Sequence, residues 1–287
     1  MDMKAQDFKI VDREILSQDE SARITKIQVH APGIAQGSEA GQFVVVMVVS
    51  EGERIPLTIV DRDTQRGTIT LIVQELGLTT RLLGQMTVGQ ALFALAGPLG
   101  RATEIQNYGN VIVIGGGVGV AEILPVARAF KQAGNKVTAL IGARTKQLLI
   151  LEEELLAFCD RLQCATDDGS KGIRGFVTEA LQALLATEYA HQAPGCVYAV
   201  GPIPMMRAVS EVTRSRNIKT VVSLNALMVD ATGMCGSCRV SVAGSVYFSC
   251  IDGPEFDAHQ VDWQELLARS RIYSSDELHV CKLKKLF

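Results

Sequence analysis

Three cysteines and one aspartate near the C-terminal end of the chain have the spacing of a metal cluster site. Asp230, Cys235, Cys238 and Cys250 form the pattern D-x4-C-x2-C-x11-C. Plant-type [2Fe-2S] sites use C-x4-C-x2-C followed by a more distant cysteine. Asp230 therefore stands where that pattern has its first cysteine. Three thiolates and one carboxylate supply four protein ligands for two irons, so the spacing predicts a [2Fe-2S] cluster and an electron carrier.

The same cysteines leave a second metal open. A zinc ion is also held by cysteines at such spacing, and His259 or Asp230 would then be its fourth ligand. Cys281 is the rival for the fourth position of an iron–sulfur cluster, although it lies in an amphipathic segment near the C-terminus. The remaining cysteines have no ligand spacing, and we predict that they are small core residues: Cys159, Cys164 and Cys196.

A glycine-rich turn in the middle of the chain predicts a nucleotide site. A continuous apolar strand over residues 111–114 is followed by Gly115, Gly116, Gly117, Val118 and Gly119, and then by a helical pattern over residues 121–133. Glycines let the backbone approach a pyrophosphate, and a helix N-terminus offers N–H donors to its charge. The strict G-x-G-x-x-G register is not met, because position 120 is valine. A second strand–helix unit follows, and this context favours a nicotinamide nucleotide.

The second strand of this unit, residues 136–141, ends near Arg144 and Lys146 without an acidic residue. NAD sites commonly place Asp or Glu there to hold the ribose hydroxyls, whereas cations accommodate the 2′-phosphate of NADP. The local chemistry therefore favours NADP, and two solvated surface cations are the alternative. Two later loops also follow predicted parallel strands, where ligands bind in such sheets. They contribute the candidate residues Asp168, Gly201, Pro202 and Met205.

Strand and helix patterns divide the chain. Alternating strands separated by turn signals fill the first hundred residues and predict an antiparallel barrel or sandwich. Strands and helices then alternate to about Val222, including a helix over residues 148–159, which predicts a doubly wound parallel sheet. We predict four segments: residues 1–103 as a barrel domain, 104–222 as a nucleotide-binding domain, 223–262 as a cluster module, and 263–287 as a C-terminal tail.

Composition narrows the possible partners and the compartment. The 287 residues are 47% hydrophobic and 21% charged, with a net charge of -3. No long basic run is present, so nucleic acid is not an expected partner. The longest apolar runs fall short of the ~20 residues that a membrane helix needs, and we expect no membrane insertion. Seven cysteines without a signal sequence fit a reducing compartment, so the cytoplasm is the expected location.

The order of these parts resembles the ferredoxin–NADP reductase superfamily, whose N-terminal barrel holds a flavin with an Arg-x-Tyr-Ser motif. Residues 54–58 stand at the matching place. The resemblance implies that Arg54 reaches the FAD pyrophosphate and that Thr58 replaces the serine near the reactive flavin nitrogen, with Pro56 and Leu57 between them. Leu57 departs from the tyrosine of the family. The second flavin segment of the family matches residues 72–80 and implies contacts from Val73, Gly77, Thr79 and Thr80.

The cysteine module narrows the resemblance. It is similar to the electron-transfer subunits of dihydroorotate dehydrogenase, and more similar to the small subunits of NADH-dependent ferredoxin:NADP oxidoreductases. The strings that carry this second likeness are residues 142–146, 149–154, 229–238 and 250–257. In that group an aspartate replaces the first cluster cysteine, as Asp230 does here. One departure is Glu122, where relatives tend to carry proline.

The resemblance implies an oxidoreductase subunit that binds FAD, a [2Fe-2S] cluster and NAD(H) or NADP(H). Such a subunit exchanges electrons with a larger flavin and iron–sulfur partner subunit, in a complex that bifurcates electrons. The small subunits of the group use NAD(H), so we favour NAD(H) despite Arg144 and Lys146. Two alternatives stay open: the electron-transfer subunit of a dihydroorotate dehydrogenase, and a non-catalytic regulatory subunit that carries zinc.

Overall fold

The computed structural model describes residues 8–19 and 22–272. Its N-terminal part consists of seven strands and two helices: β1 Ile10–Gln18, β2 Arg23–His30, α1 Pro32–Gly37, β3 Phe43–Met47, β4 Arg54–Thr58, β5 Asp61–Asp63, β6 Thr68–Gln74, α2 Leu78–Gln85 and β7 Ala94–Leu99. The strands form two antiparallel sheets, in the orders β1-β2-β6-β5 and β4-β3-β7. Ile27, Val44 and Leu71 are fully buried in the core between these sheets. The predicted antiparallel barrel is confirmed, and within the described residues its two sheets do not join into one closed ladder.

The middle part is the predicted doubly wound sheet. Its elements are β8 Asn110–Gly116, α3 Val120–Gln132, β9 Lys136–Ala143, α4 Glu152–Leu156, β10 Arg161–Thr166, β11 Ile173–Arg174, α5 Val177–Thr187, β12 Cys196–Val200, α6 Ile203–Arg214 and β13 Thr220–Ser223. The strands are parallel, in the order β11-β10-β9-β8-β12-β13. Side chains of β8 alternate between two cores, because successive residues of a strand point to opposite faces. Val113 packs in the core that contains α3, and Ile114 in the core that contains α5 and α6.

One predicted helix is much shorter than expected. The pattern over residues 148–159 predicted a continuous helix, but α4 covers only Glu152–Leu156 and a 3-10 turn occupies Lys146–Leu148. Leu151 has a φ of 59°, in the left-handed region that a right-handed helix cannot include. Residues 148–151 are buried as an irregular segment, so their apolar character serves the core without a helix.

The C-terminal part adds two hairpin strands, an edge strand and a helix: β14 Arg239–Val242, β15 Ser245–Phe248, β16 Glu255–Asp257 and α7 Trp263–Arg269. β16 pairs antiparallel with β13, which makes the central sheet seven-stranded. The Arg269 guanidinium donates to the carbonyl oxygen of Ser237 at 3.0 Å and ties α7 to the cysteine loop. None of the helices in the described part of the chain is long and apolar enough to cross a membrane.

Candidate functional site

A cleft of about 530 Å³ opens at the carboxyl ends of β8, β9 and β12. The strand order reverses between β8 and β12, and ligands of doubly wound sheets bind at this switch point. The glycine turn after β8 and the Gly-Pro turn after β12 therefore meet in one cleft. Five of the predicted nucleotide-binding residues line it: Gly116, Gly117, Arg144, Pro202 and Met205.

Close packing explains why the turn after β8 is glycine-rich. A Cβ atom at Gly119 would lie 2.6 Å from the carbonyl oxygen of Val200, and one at Gly115 would lie 2.8 Å from the Cα atom of Val120. Gly116 and Gly117, just before α3, present bare backbone to the cleft. Exposed backbone N–H groups at a helix N-terminus bind the negative charge of a pyrophosphate, so the residues present fit a dinucleotide. Val118 lies within the same turn, and Gly201 begins the turn after β12.

An acidic residue next to the predicted Asp168 lines this cleft. Asp167, directly after β10, lines the cleft together with Arg144, and its backbone N–H donates to the carbonyl oxygen of Ala143 at 3.2 Å. The predicted residue Asp168 is not among the lining residues. Its Oδ1 atom accepts hydrogen bonds from the N–H and hydroxyl groups of Ser170, which lower the pKa of this carboxyl group. β9 and β10 are adjacent parallel strands, so the residues that follow them lie at the same edge of the sheet. This expected pairing was the sequence signal that could have identified Asp167.

The residues predicted to bind flavin lie on β4, β6 and the start of α2. The hydroxyl of Thr79 donates to Oε2 of Glu53 at 2.7 Å, which joins the start of α2 to the residue before β4. The hydroxyl oxygen of Thr80 accepts from the N–H of Gly77 at 3.0 Å and caps α2. Arg54 is exposed at the start of β4. An exposed guanidinium beside a helix N-terminus suits a diphosphate, so the donor set fits FAD.

The four predicted cluster ligands lie in one region, as two pairs. The Sγ atoms of Cys238 and Cys250 are 3.2 Å apart, and both residues are buried free thiols. Asp230 accepts hydrogen bonds from the N–H groups of Thr232 at 2.9 Å and Cys235 at 3.1 Å, and Cys235 is exposed. Among the residues that the structure describes, no three or more such side chains are preassembled around a metal position. Buried soft thiols on a loop fit an iron–sulfur cluster.

One rival ligand, His259, is not brought to this loop. Nε2 of His259 lies 3.0 Å from the hydroxyl of Thr213 on α6, so this ring is engaged away from the cysteines. Cys281 lies outside the described residues. Cys159 and Cys196 are buried as predicted, whereas Cys164 is only half-buried and its Sγ atom donates to Oε2 of Glu152 at 3.4 Å.

Two acids, the buried Glu122 and the partly exposed Glu255, form a further feature. The hydroxyl of Thr58 donates to Oε2 of Glu122 at 3.1 Å. The hydroxyl of Tyr198 lies 3.3 Å from Oε1 of Glu122 and 2.7 Å from Oε1 of Glu255. Burial raises the pKa of Glu122 and raises that of Glu255 to about 7. Glu122 was visible as an acid in an apolar helix start, but no local signal marks Glu255.

A cavity of about 160 Å³ lies beside these acids and is lined from all three parts of the chain. The barrel contributes Pro56 and Thr58, the nucleotide-binding part contributes Glu122 of α3 and Ser223 of β13, and the cluster module contributes Met228 among others. This is a place where groups held by three separate domains could come into contact.

Comparisons with known proteins assign each part. Residues 7–103 match the family model of an oxidoreductase FAD-binding domain, and residues 113–211 match that of an oxidoreductase NAD-binding domain. Residues 225–262 match the iron-sulfur cluster binding domain of dihydroorotate dehydrogenase B. A Thermotoga maritima protein described as a dihydroorotate dehydrogenase B (NAD(+)), electron transfer subunit homolog is 43% identical over 249 residues, which are 87% of this chain and 86% of that protein.

The chain belongs to the dihydroorotate dehydrogenase B electron-transfer subunit family. Another member, the electron transfer subunit of Bacillus caldolyticus, is 35% identical over 78% of this chain and 86% of that protein. A solved structure of an NADH-dependent reduced ferredoxin-NADP oxidoreductase, studied for flavin-based electron bifurcation, has a TM-score of 0.90 and 39% identity over 100% of both chains. The predictions of an oxidoreductase that binds FAD, a nicotinamide nucleotide and an iron–sulfur cluster of the [2Fe-2S] type are confirmed.

Proposed function

We propose that this chain is the NAD(H)-linked electron-transfer subunit of a larger, electron-bifurcating flavin and iron–sulfur complex. The observation that carries the proposal is the match over the whole chain, at a TM-score of 0.90, to a subunit of an NADH-dependent reduced ferredoxin-NADP oxidoreductase. The partner is then a larger subunit that carries further flavin and iron–sulfur cofactors. This chain contributes one FAD site, one nucleotide site and one cluster site.

Each cofactor has a set of residues that would hold it. Arg54 and the start of α2 would hold the FAD diphosphate, and Gly116, Gly117 and Pro202 would frame the nucleotide. Cys238 and Cys250 would hold the cluster together with Cys235 and Asp230. When bound, the flavin supplies the conversion between a two-electron hydride and single electrons, and the cluster carries those electrons one at a time. The protein's own contribution is to position these groups and to exclude water.

The choice of NAD(H) rests on Asp167. Asp167 lines the cleft with Arg144, where the ribose end of a dinucleotide would bind. A carboxylate accepts hydrogen bonds from ribose hydroxyls and repels a 2′-phosphate, so it favours NAD(H) over NADP(H). Asp168 is held by Ser170 and supports the shape of this loop.

The experiment is anaerobic purification with the natural partner, followed by cofactor counting and by nucleotide bleaching. We expect one FAD and one [2Fe-2S] cluster in this chain, with flavin bleaching by NADH faster than by NADPH. In the complex, NADH and reduced ferredoxin together should reduce NADP+, and neither donor alone should do so. Zinc in place of iron, or NADPH preferred by this chain, would contradict the proposal.

A second candidate follows from the names of the relatives. Proteins that are 35% and 43% identical to this chain are described as a dihydroorotate dehydrogenase B electron transfer subunit and as a homolog of one. In that case the partner subunit would oxidise dihydroorotate. Adding dihydroorotate to the purified complex separates the two candidates, because flavin bleaching by this compound is expected only for the second.

A further inference from the structure

Thr58, Glu122, Tyr198 and Glu255 form a chain of polar groups between the three-domain cavity and the surface. The successive oxygen–oxygen distances are 3.1, 3.3 and 2.7 Å. Thr58 and Glu122 line the cavity. Tyr198 is fully buried and Glu122 is 9% exposed, whereas Glu255 is partly exposed on the edge strand β16. The chain therefore begins in the cavity and ends at water.

The hydrogen-bond geometry of this chain suits a shared proton. The hydroxyl of Tyr198 has one hydrogen and lies within hydrogen-bonding distance of two carboxyl oxygens. In a two-centre hydrogen bond it donates to only one of them. For both contacts to be hydrogen bonds, the other carboxyl group must donate to the tyrosine oxygen and so must be protonated. In that arrangement Glu122 and Glu255 share one negative charge.

The surroundings of the pair agree with this count. Burial is the largest cause of the raised pKa of both carboxyl groups. The groups that act most strongly on them are the hydroxyls of Thr58, Thr103, Tyr198 and Ser223 and the carboxylate of Glu104. None of these groups is positively charged, so none of them favours loss of the shared proton through its charge. Oε1 of Glu255 also accepts the hydrogen bond of Thr103, which fixes its side chain near Tyr198.

The proposed function creates a need for such a proton. Oxidation of the nicotinamide releases a hydride, which is two electrons and one proton, in the balance NADH → NAD⁺ + 2 e⁻ + H⁺. If the two electrons leave singly through the cluster to the partner, one proton is left behind at the cavity. In the reverse direction the same proton must be supplied.

We propose that Glu122, Tyr198 and Glu255 are the path by which this proton moves between the cavity and water, with Thr58 as the contact on the cavity side. This inference rests on the proposed function. As the electrons leave, a carboxylate of the pair takes up the proton and becomes a carboxylic acid. Glu255 then returns a proton to water, and the pair regains its one negative charge.

The experiment compares four variants of the full chain with its cofactors bound: E122Q, Y198F, E255Q and the control E154Q, an exposed glutamate of α4. Infrared difference spectra between the oxidised and reduced forms report carboxyl protonation directly. We expect a carbonyl band of a protonated carboxyl group that changes with redox state and shifts in D₂O. The band should be lost in E122Q, altered in Y198F and retained in E154Q.

A kinetic readout tests the path itself. The flavin is reduced by NADH and then oxidised by the one-electron acceptor ferricyanide. Direct acid–base groups contribute ~10²–10⁴-fold to rates, and we expect about a tenfold slower oxidation in E122Q and Y198F because water can still reach part of the path. The wild-type rate should fall as the pH falls below about 7, where Glu255 becomes protonated. E255Q should lose this pH dependence, and E154Q should keep it.

The outcomes separate the path from the proposed function. Y198F keeps both acids and the ring, so it gives a result even if E122Q loses flavin. A redox-independent carboxyl band in the wild type, or an oxidation rate and pH profile unchanged in E122Q and Y198F, would overturn the path while NADH still reduces the flavin. A wild-type chain without flavin, or one that NADH does not reduce, would overturn the proposed function and the path with it.

Discussion

Arg54 is the charged residue on which flavin retention is expected to depend most. It is exposed at the start of β4, beside the N-terminus of α2. In Arg54→Ala, we expect FAD affinity to fall by ~1.5–3 kcal/mol, the range for a hydrogen bond to a charged group. Equilibrium dialysis of FAD measures this. Arg62→Ala, which removes an exposed cation on β5, serves as the matched control and should leave the affinity unchanged. Equal affinities for Arg54→Ala and wild type would place the flavin elsewhere.

Asp230 has two possible roles that substitutions can separate. Its carboxylate accepts hydrogen bonds from two loop N–H groups, and it also stands at the first ligand position of the cluster pattern. If it is a ligand, Asp230→Cys should assemble a [2Fe-2S] cluster with an altered reduction potential and paramagnetic resonance spectrum, because a thiolate is a softer ligand. Asp230→Ala should make the cluster labile. A cluster with wild-type potential and spectrum in Asp230→Cys would leave Asp230 as a loop residue only.

At the level of side chains, the amino-acid sequence predicts the cluster ligands but not the contact between Tyr198 and Glu255. The cluster pattern was predictable because its ligands are close along the chain. The contact between Tyr198 and Glu255 spans 57 residues, and it exists only because β16 pairs with β13 at the sheet edge. No sequence pattern near Glu255 predicts the surroundings of its carboxyl group. Those surroundings depend on the pairing of β16 with β13, and these two strands are far apart along the chain.

Among the elements, the tip of β10 is expected to decide nucleotide preference. In Asp167→Ala, the loss of a carboxylate from the cleft should narrow the preference for NADH over NADPH by about tenfold, or ~1.4 kcal/mol. The rates of anaerobic flavin bleaching by each nucleotide measure it. Asp168→Ala is a close control, because that carboxylate is held by Ser170 and does not line the cleft. An equal change in both variants would mean that the loop fold matters, and not the charge of Asp167.

The segment before α4 shows why one element was wrong. Its apolar residues have a spacing that suits a helix, and the acidic residues after them favour a helix N-terminus. The helix does begin at those acids, at Glu152, but the apolar residues before it are buried as an irregular segment. Leu151 takes the left-handed conformation there. Periodicity reports burial, and here burial was achieved without a helix.

Across the whole chain, the three parts could be predicted but their interlocking could not. The cluster module adds β16 to the nucleotide-binding sheet and shares its core. The barrel is joined to α3 by the ion pair of Arg128 with Asp61, at 2.6 Å, and by the contact of Thr58 with Glu122. Fixed domain positions are what electron transfer between separately held cofactors requires. Composition and strand patterns describe each part, but these contacts depend on pairings far apart in the sequence.

Glu255 also makes the stability of the whole molecule depend on pH. The pKa of Glu255 rises on folding from 4.5 to about 7, with burial as the main cause. Between these values the folded state binds more protons than the unfolded state, so stability falls as the pH rises through this interval. A shift of this size corresponds to about 3 kcal/mol between pH 4.5 and pH 8. The cost is absent below the unfolded pKa and complete above the folded one.

Glu255→Gln should remove this dependence, because glutamine keeps the polar shape and does not titrate. Relative to wild type, the variant's free energy of unfolding should increase by about 3 kcal/mol between pH 4.5 and pH 8, since wild type loses stability over that interval and the variant does not. Urea unfolding at a series of pH values, on protein with equal cofactor content, measures the difference. Glu154→Gln should follow the wild-type curve. The contrary result is a difference in free energy of unfolding between Glu255→Gln and wild type that does not change with pH. Glu255 would then titrate as an ordinary exposed glutamate and would not belong to a proton-sharing pair.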